Sequence, residues 1–164
     1  MIITIIYNYN LIYSIIKYIQ ILNNIGVKIM QIEWSHDLET GISKIDKQHL
    51  DIIERINIVL KASVNEITPY EVDNIIRFLG GYLIDHFETE EDYMTSLNYQ
   101  GFDHHRKEHI TFLKVFSGLK RYFEEEQSPS LIFTVVKNQF VAWLVDHIKT
   151  EDKKMAVFMK SKNI

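Results

Sequence analysis

The sequence predicts an all-α protein, an antiparallel up-down four-helix bundle with an extended N-terminal arm. Three observations predict it. Only two prolines and six glycines occur in 164 residues, few for the many turns of an all-β chain. Four long stretches place apolar residues at i, i+3, i+4 and i+7, the period of one helix face. The connections between them are short, which sets successive helices side by side and antiparallel.

Composition narrows the function classes. Apolar residues make up 46% of the chain, enough for one domain with a well-filled core. The chain has no cysteine, which excludes disulfides, thiolate metal sites and cysteine nucleophiles. A net charge of −4 with no basic cluster argues against a nucleic-acid partner.

The chain divides at about residue 30. Residues 1–29 contain no Asp or Glu, and Lys17 and Lys28 are their only charges. No basic residue precedes the apolar run and no small-residue cleavage site follows it, so a signal peptide fits poorly. Asn8, Asn10, Lys17 and Gln20 would be costly in lipid. The Ile, Asn, Tyr and Lys bias is what translated AT-rich DNA would give, which makes Met30 an alternative start. Residues 1–29 are thus read either as an artefactual extension or as a membrane-associating helix, and residues 30–164 as the functional domain. A cytoplasmic monomer is expected, with membrane contact only if 1–29 is genuine and inserted.

Residues 30–41 read as an extended arm, with Trp34 as a packing anchor. A first helix is expected from about Ile42 to Ala62. Ile42, Ile45, Ile52, Ile53, Ile56 and Leu60 form its buried stripe, and His49 falls on that stripe. A second helix starts at Thr68, with Pro69 at its first position and Glu71 completing a capping box. Its inward face is Val72, Ile75, Ile76, Leu79, Leu83, His86, Glu90 and Met94. Gly80–Gly81 weakens its middle and permits close packing. Asn98 to Gly101 reads as a turn. A third helix is expected from Phe102 to Glu126, turning His105, His109, Phe112, Leu113, Phe116 and Leu119 inward. Ser128–Pro129 starts a fourth, which runs to about Lys160 through Ile132, Val136, Phe140, Trp143, Leu144, His147 and Met155.

Within this frame the chemistry converges. His86 and Glu90, and His105 and His109, are pairs at i and i+4, which share a helix face. His49 and His147 join them on inward stripes, whereas His36 and His104 read as surface residues. A lone buried imidazole is ordinary. Several converging on a carboxylate are not, because a bare buried charge must be paired, neutralised or metal-bound. Imidazole and carboxylate without sulfur suit Fe, Zn, Mn or Cu. Asp152 lies about 140° around an ideal helix from His147. It is either a surface residue or is turned inward by a local distortion such as a π-type turn.

The whole set, in order, resembles the bacterial type of hemerythrin over essentially all of residues 30–164. Trp34, IDKQH at 45–49, HFETEE at 86–91, HHRKEH at 104–109 and HIKTED at 147–152 carry the resemblance. The resemblance implies that Asp152 is a ligand. It implies a non-haem di-iron site, with two iron ions per chain. His105, His109 and His147 would bind one iron, and His49 and His86 the other. Glu90, Asp152 and a hydroxide or oxo group would bridge them. That arrangement saturates the first iron and leaves an open position on the second, where dioxygen could bind. Phe87, Trp143, Leu144 and Ile148 match the family's apolar oxygen pocket, and plain core packing would explain them equally.

The implied function is reversible dioxygen binding for storage, delivery or sensing, and not enzymatic turnover. Di-iron oxidases in bundles use mostly carboxylates with Glu-x-x-His motifs; five imidazoles with two carboxylates should favour a milder couple. Two alternatives stand beside it. One is a di-iron enzyme acting on peroxide or nitric oxide, for which no acid/base or substrate-binding constellation is visible. The other is a redox-sensing interaction module, for which no output domain is visible.

Overall fold

The computed structural model describes residues 31–61, 68–126 and 134–163. Four helical elements build it: α1 (Ser43–Lys61), α2 (Pro69–Ser96), α3 (Phe102–Glu126) and α4, which covers 134–161. No strand occurs among the described residues, and none of their helices is long and apolar enough to cross a membrane. The expected extension 1–29, Ala62, Ile132 and the expected Ser128–Pro129 helix start lie outside the described residues.

The arm runs extended from 31 to 35, then makes one 3-10 turn at His36–Leu38. The Asn57 amide clamps it to α1. Its Oδ1 accepts from Ile32 N at 2.8 Å and its Nδ2 donates to Ile32 O at 2.9 Å. Trp34 packs half-buried against the main apolar cluster. Asp46 then fixes the start of α1. Its carboxylate accepts from Thr40 N, Thr40 Oγ1 and Gly41 N at 2.7 to 2.9 Å, while Gly41 takes a φ of 76° that glycine adopts without strain.

α2 begins with the expected capping box of Thr68 and Glu71 and ends before Asn98, whose φ of 55° reverses the chain. Asn tolerates that left-handed conformation better than most residues. α3 has the expected bounds. α4 is not a uniform helix: π turns at Val136–Phe140 and Ile148–Asp152 alternate with α segments at Val141–His147 and Lys153–Ser161.

The core has three layers along the bundle axis. A large apolar cluster includes Ile52, Ile56, Leu79, Leu83, Phe87, Phe112, Phe116, Phe140 and Leu144. A smaller one comprises Ile42, Ile45, Met94, Met155, Ala156 and Met159. Each helix places its polar inward residues between these two clusters. His49 sits between Ile45 and Ile52, His86 and Glu90 between Leu83 and Met94, and His147 and Asp152 between Leu144 and Met155. The polar layer is therefore sealed at both ends by apolar side chains.

Candidate metal centre

All seven residues expected to be ligands come together. His49, His86, Glu90, His105, His109, His147 and Asp152 are each at most 2% exposed. His36 and His104 are exposed, as expected.

The geometry splits the imidazoles into two groups that share both carboxylates. Donor atoms of His105, His109 and His147 cluster with Glu90 and Asp152, and those of His49 and His86 cluster with the same two acids. Each carboxylate divides its oxygens between the groups. Glu90 Oε2 lies 3.2 Å from His109 Nε2 and 3.5 Å from His105 Nε2; its Oε1 lies 3.7 Å from His86 Nε2 and 3.8 Å from His49 Nε2. Asp152 Oδ1 lies 3.1 Å from His105 Nε2 and 3.2 Å from His147 Nε2, while its Oδ2 lies 3.1 Å from His49 Nε2.

The π turn explains Asp152. One residue more per turn brings the fifth residue after His147 back to the same side, and Ile148–Asp152 is such a turn. The surface alternative for Asp152 is thereby excluded.

The atoms fit a cation. None of the four oxygens of Glu90 and Asp152 has a hydrogen-bond partner among the described residues, nor has either Nε2 of His49 or His105. Buried polar atoms left this way cost free energy. His109 Nε2 and His147 Nε2 stand 3.1 Å apart. Neighbouring donors on a metal at about 2.1 Å are separated by about 3 Å.

The carboxylates and imidazoles of the layer shift one another's titration. Burial disfavours the Glu90 carboxylate, yet His86, His105 and His109 overcome that and hold it well below the usual range. Burial and Glu90 likewise oppose Asp152, and His147, His105 and His49 bring it down to about 2. Burial alone would lower His105, but Asp152 and Glu90 push it up to about 10. His49 is raised for the same reasons. Burial dominates at His86, which falls to about 4. The two carboxylates are thus held low, and His49 and His105 raised, by their mutual proximity.

Three polar side chains outside this set meet the Nδ1 atoms of its imidazoles, and sequence reasoning missed them. Glu91 Oε1 accepts from His109 Nδ1 at 3.1 Å, Glu108 Oε2 accepts from His147 Nδ1 at 3.0 Å, and Gln48 Oε1 faces His86 Nδ1 at 3.4 Å. The available signal was adjacency: each stands beside a ligand-type residue in the chain. Of the expected pocket residues, Phe87 stacks on His109 at 3.9 Å between centroids and half-buried Trp143 stacks on His147 at 4.4 Å. Leu144 and Ile148 are buried in the same apolar cluster.

A sealed layer of imidazoles and carboxylates inside an antiparallel helix bundle defines the class, a non-haem metal-binding bundle. Residues 40–158 match the hemerythrin HHE cation binding domain, and the chain belongs to the hemerythrin family, whose members bind non-haem iron. It is 31% identical to a bacteriohemerythrin of Pseudomonas paraeruginosa over 119 residues, covering 73% of this chain and 75% of the relative. A bacteriohemerythrin of Clostridium acetobutylicum is 28% identical over 123 residues, 73% of this chain and 95% of the relative. A hemerythrin of Sipunculus nudus is 34% identical over 125 residues, 74% of this chain and 87% of the relative. These relatives carry hemerythrin names and no enzyme name.

Proposed function

We propose that the protein binds dioxygen reversibly at a non-haem di-iron site. His105, His109 and His147 hold one iron, His49 and His86 the other, and Glu90 and Asp152 bridge them. The observation that carries this reading is the division of both carboxylates between a three-imidazole and a two-imidazole group. A carboxylate with one oxygen toward each group is placed to hold two cations together. The unequal imidazole count leaves the two-imidazole group one ligand short of its neighbour.

Two ferrous ions so held would supply the electrons that make dioxygen binding favourable and reversible. The protein's part is to exclude water and competing acids. Phe87, Trp143, Leu144 and Ile148 form an apolar wall beside the imidazoles, which we assign as the oxygen pocket. A dry wall keeps protons from reaching the bound gas, which favours release over irreversible oxidation. Residues 30–164 are read as the functional domain, and the family match at 40–158 lies within it.

Anaerobic loading with Fe(II), metal analysis and air exposure test the reading. Two irons per chain are expected. A ligand-to-iron charge-transfer band should appear in air and vanish when dioxygen is removed. Rapid irreversible bleaching would overturn reversible binding, and zinc or a single metal per chain would overturn the di-iron site.

A further inference from the structure

Gln48, Glu91 and Glu108 follow one rule of placement. Gln48 precedes His49 on α1 and faces His86 on α2. Glu91 follows Glu90 on α2 and faces His109 on α3. Glu108 precedes His109 on α3 and faces His147 on α4. Each of the first three helices thus orients an imidazole of the next helix in chain order. Helix geometry allows this, because chain neighbours point about 100° apart. A residue beside an inward ligand therefore looks toward the adjacent helix.

The three partners differ in charge, and the difference falls on one side. Both carboxylates serve the three-imidazole group, at 3.0 and 3.1 Å. Arg106 Nε, 3.1 Å from Glu91 Oε2, secures one of them. The two-imidazole group has only a neutral amide at 3.4 Å, and one Nδ1 in each group, that of His49 and that of His105, has no partner among the described residues. That amide is held in one orientation. Thr89 Oγ1 donates to Asp85 O at 2.8 Å, so it accepts from Gln48 Nε2 at 3.2 Å and turns Gln48 Oε1 toward His86.

We propose that Glu91 and Glu108 are positioning residues that make the three-imidazole group the tighter metal site and the one that better stabilises the ferric state. An acceptor on Nδ1 places the proton there and leaves Nε2 bare for the metal. A charged acceptor makes a stronger bond than a neutral one and increases the basicity of the ligating nitrogen. The bridging carboxylates are shared, so they cannot produce this inequality; the third imidazole contributes to it, and the charged outer partners of His109 and His147 add to that contribution.

The inference rests on the di-iron reading, and one experiment separates the two. Metal-free full-length protein is titrated anaerobically with Fe(II) by calorimetry, as wild type, Glu91→Gln, Glu108→Gln and Gln48→Glu. The glutamine variants keep the side-chain shape and remove only the charge. Wild type should show two unequal binding steps. Glu91→Gln and Glu108→Gln should each weaken the tighter step by about 10- to 100-fold and leave the weaker step in place. Gln48→Glu should strengthen the weaker one. The midpoint potential of the loaded protein should rise in both glutamine variants, a change that a mere packing role would not produce. Two equivalents bound with both steps equally affected, or with steps and potential unmoved, would overturn this inference alone. Fewer than two equivalents in wild type would overturn the di-iron reading and the inference with it.

Discussion

His147 Nε2 and Asp152 Oδ1 lie 3.2 Å apart although five residues separate them on one helix. The π turn at Ile148–Asp152 makes this possible, and it aims Asp152 at both imidazole groups. Asp152→Asn keeps the shape and removes the charge. The variant should retain its helical circular dichroism and bind fewer metal ions per chain than the wild type in metal analysis. An unchanged metal content would remove Asp152 from the proposed ligand set.

Most of this layer was legible because ligands extend apolar stripes. His49, His86, Glu90, His105 and His109 sit at helical spacing from Ile, Leu and Phe positions that must face the core, so periodicity alone directs them inward. Asp152 was not legible from periodicity, since an ideal helix turns it away; only the likeness to a known pattern placed it. The second π turn at Val136–Phe140 left no sequence signal that we recognise. The outer partners were hidden for another reason. Glu91 and Glu108 sit off the inward stripe, where acidic residues ordinarily meet solvent, and their role depends on which helix packs alongside.

The capping box of α2 makes a pH-dependent contribution. The backbone N–H and hydroxyl of Thr68 donate to Glu71 Oε2 at 2.8 and 2.7 Å and hold its carboxyl below the usual value. A lowered folded value means stability that is present above the unfolded pKa and lost as pH falls through the folded one. The wild type should therefore exceed Glu71→Gln in urea midpoint at pH 7, and the gap should close as the solution is acidified through the carboxylate range. Thr68→Ala removes the reciprocal bond to Glu71 N and should cost about 1 kcal/mol at neutral pH.

Gly80 and Gly81 were expected to permit close packing together, and only one does. A Cβ on Gly80 would stand 3.1 Å from Phe116 Cε1, whereas one on Gly81 would meet nothing within 4 Å. Phe116 is buried and stacks on Phe140 at 5.4 Å between centroids, so its ring has little room to yield. Gly81→Ala should stabilise the protein by up to about 1 kcal/mol through helix propensity. Gly80→Ala should show no gain in the same chemical denaturation, because the displaced ring offsets that propensity. Equal gains at the two positions would mean that α2 and α3 can separate freely at this crossing.

Metal removal should expose how much the polar layer depends on its cations. Buried carboxylates and imidazoles placed without hydrogen-bond partners are costly in the folded state, and a metal that binds only the folded chain offsets that cost. At a free metal concentration a thousandfold above Kd, the linkage is about 4 kcal/mol, which for a chain of this size moves Tm by about 10 °C. Chelation should lower Tm by roughly that amount, and added Fe(II) should restore it. Uptake should also release protons at neutral pH, since Asp152 and Glu90 raise His105 to about 10 in the metal-free state and the ligating nitrogen must be bare. A weakly buffered indicator dye reads that release directly. Metal uptake with no proton release would mean that the imidazoles already stand neutral, and that Glu90 and Asp152 are balanced by some other charge.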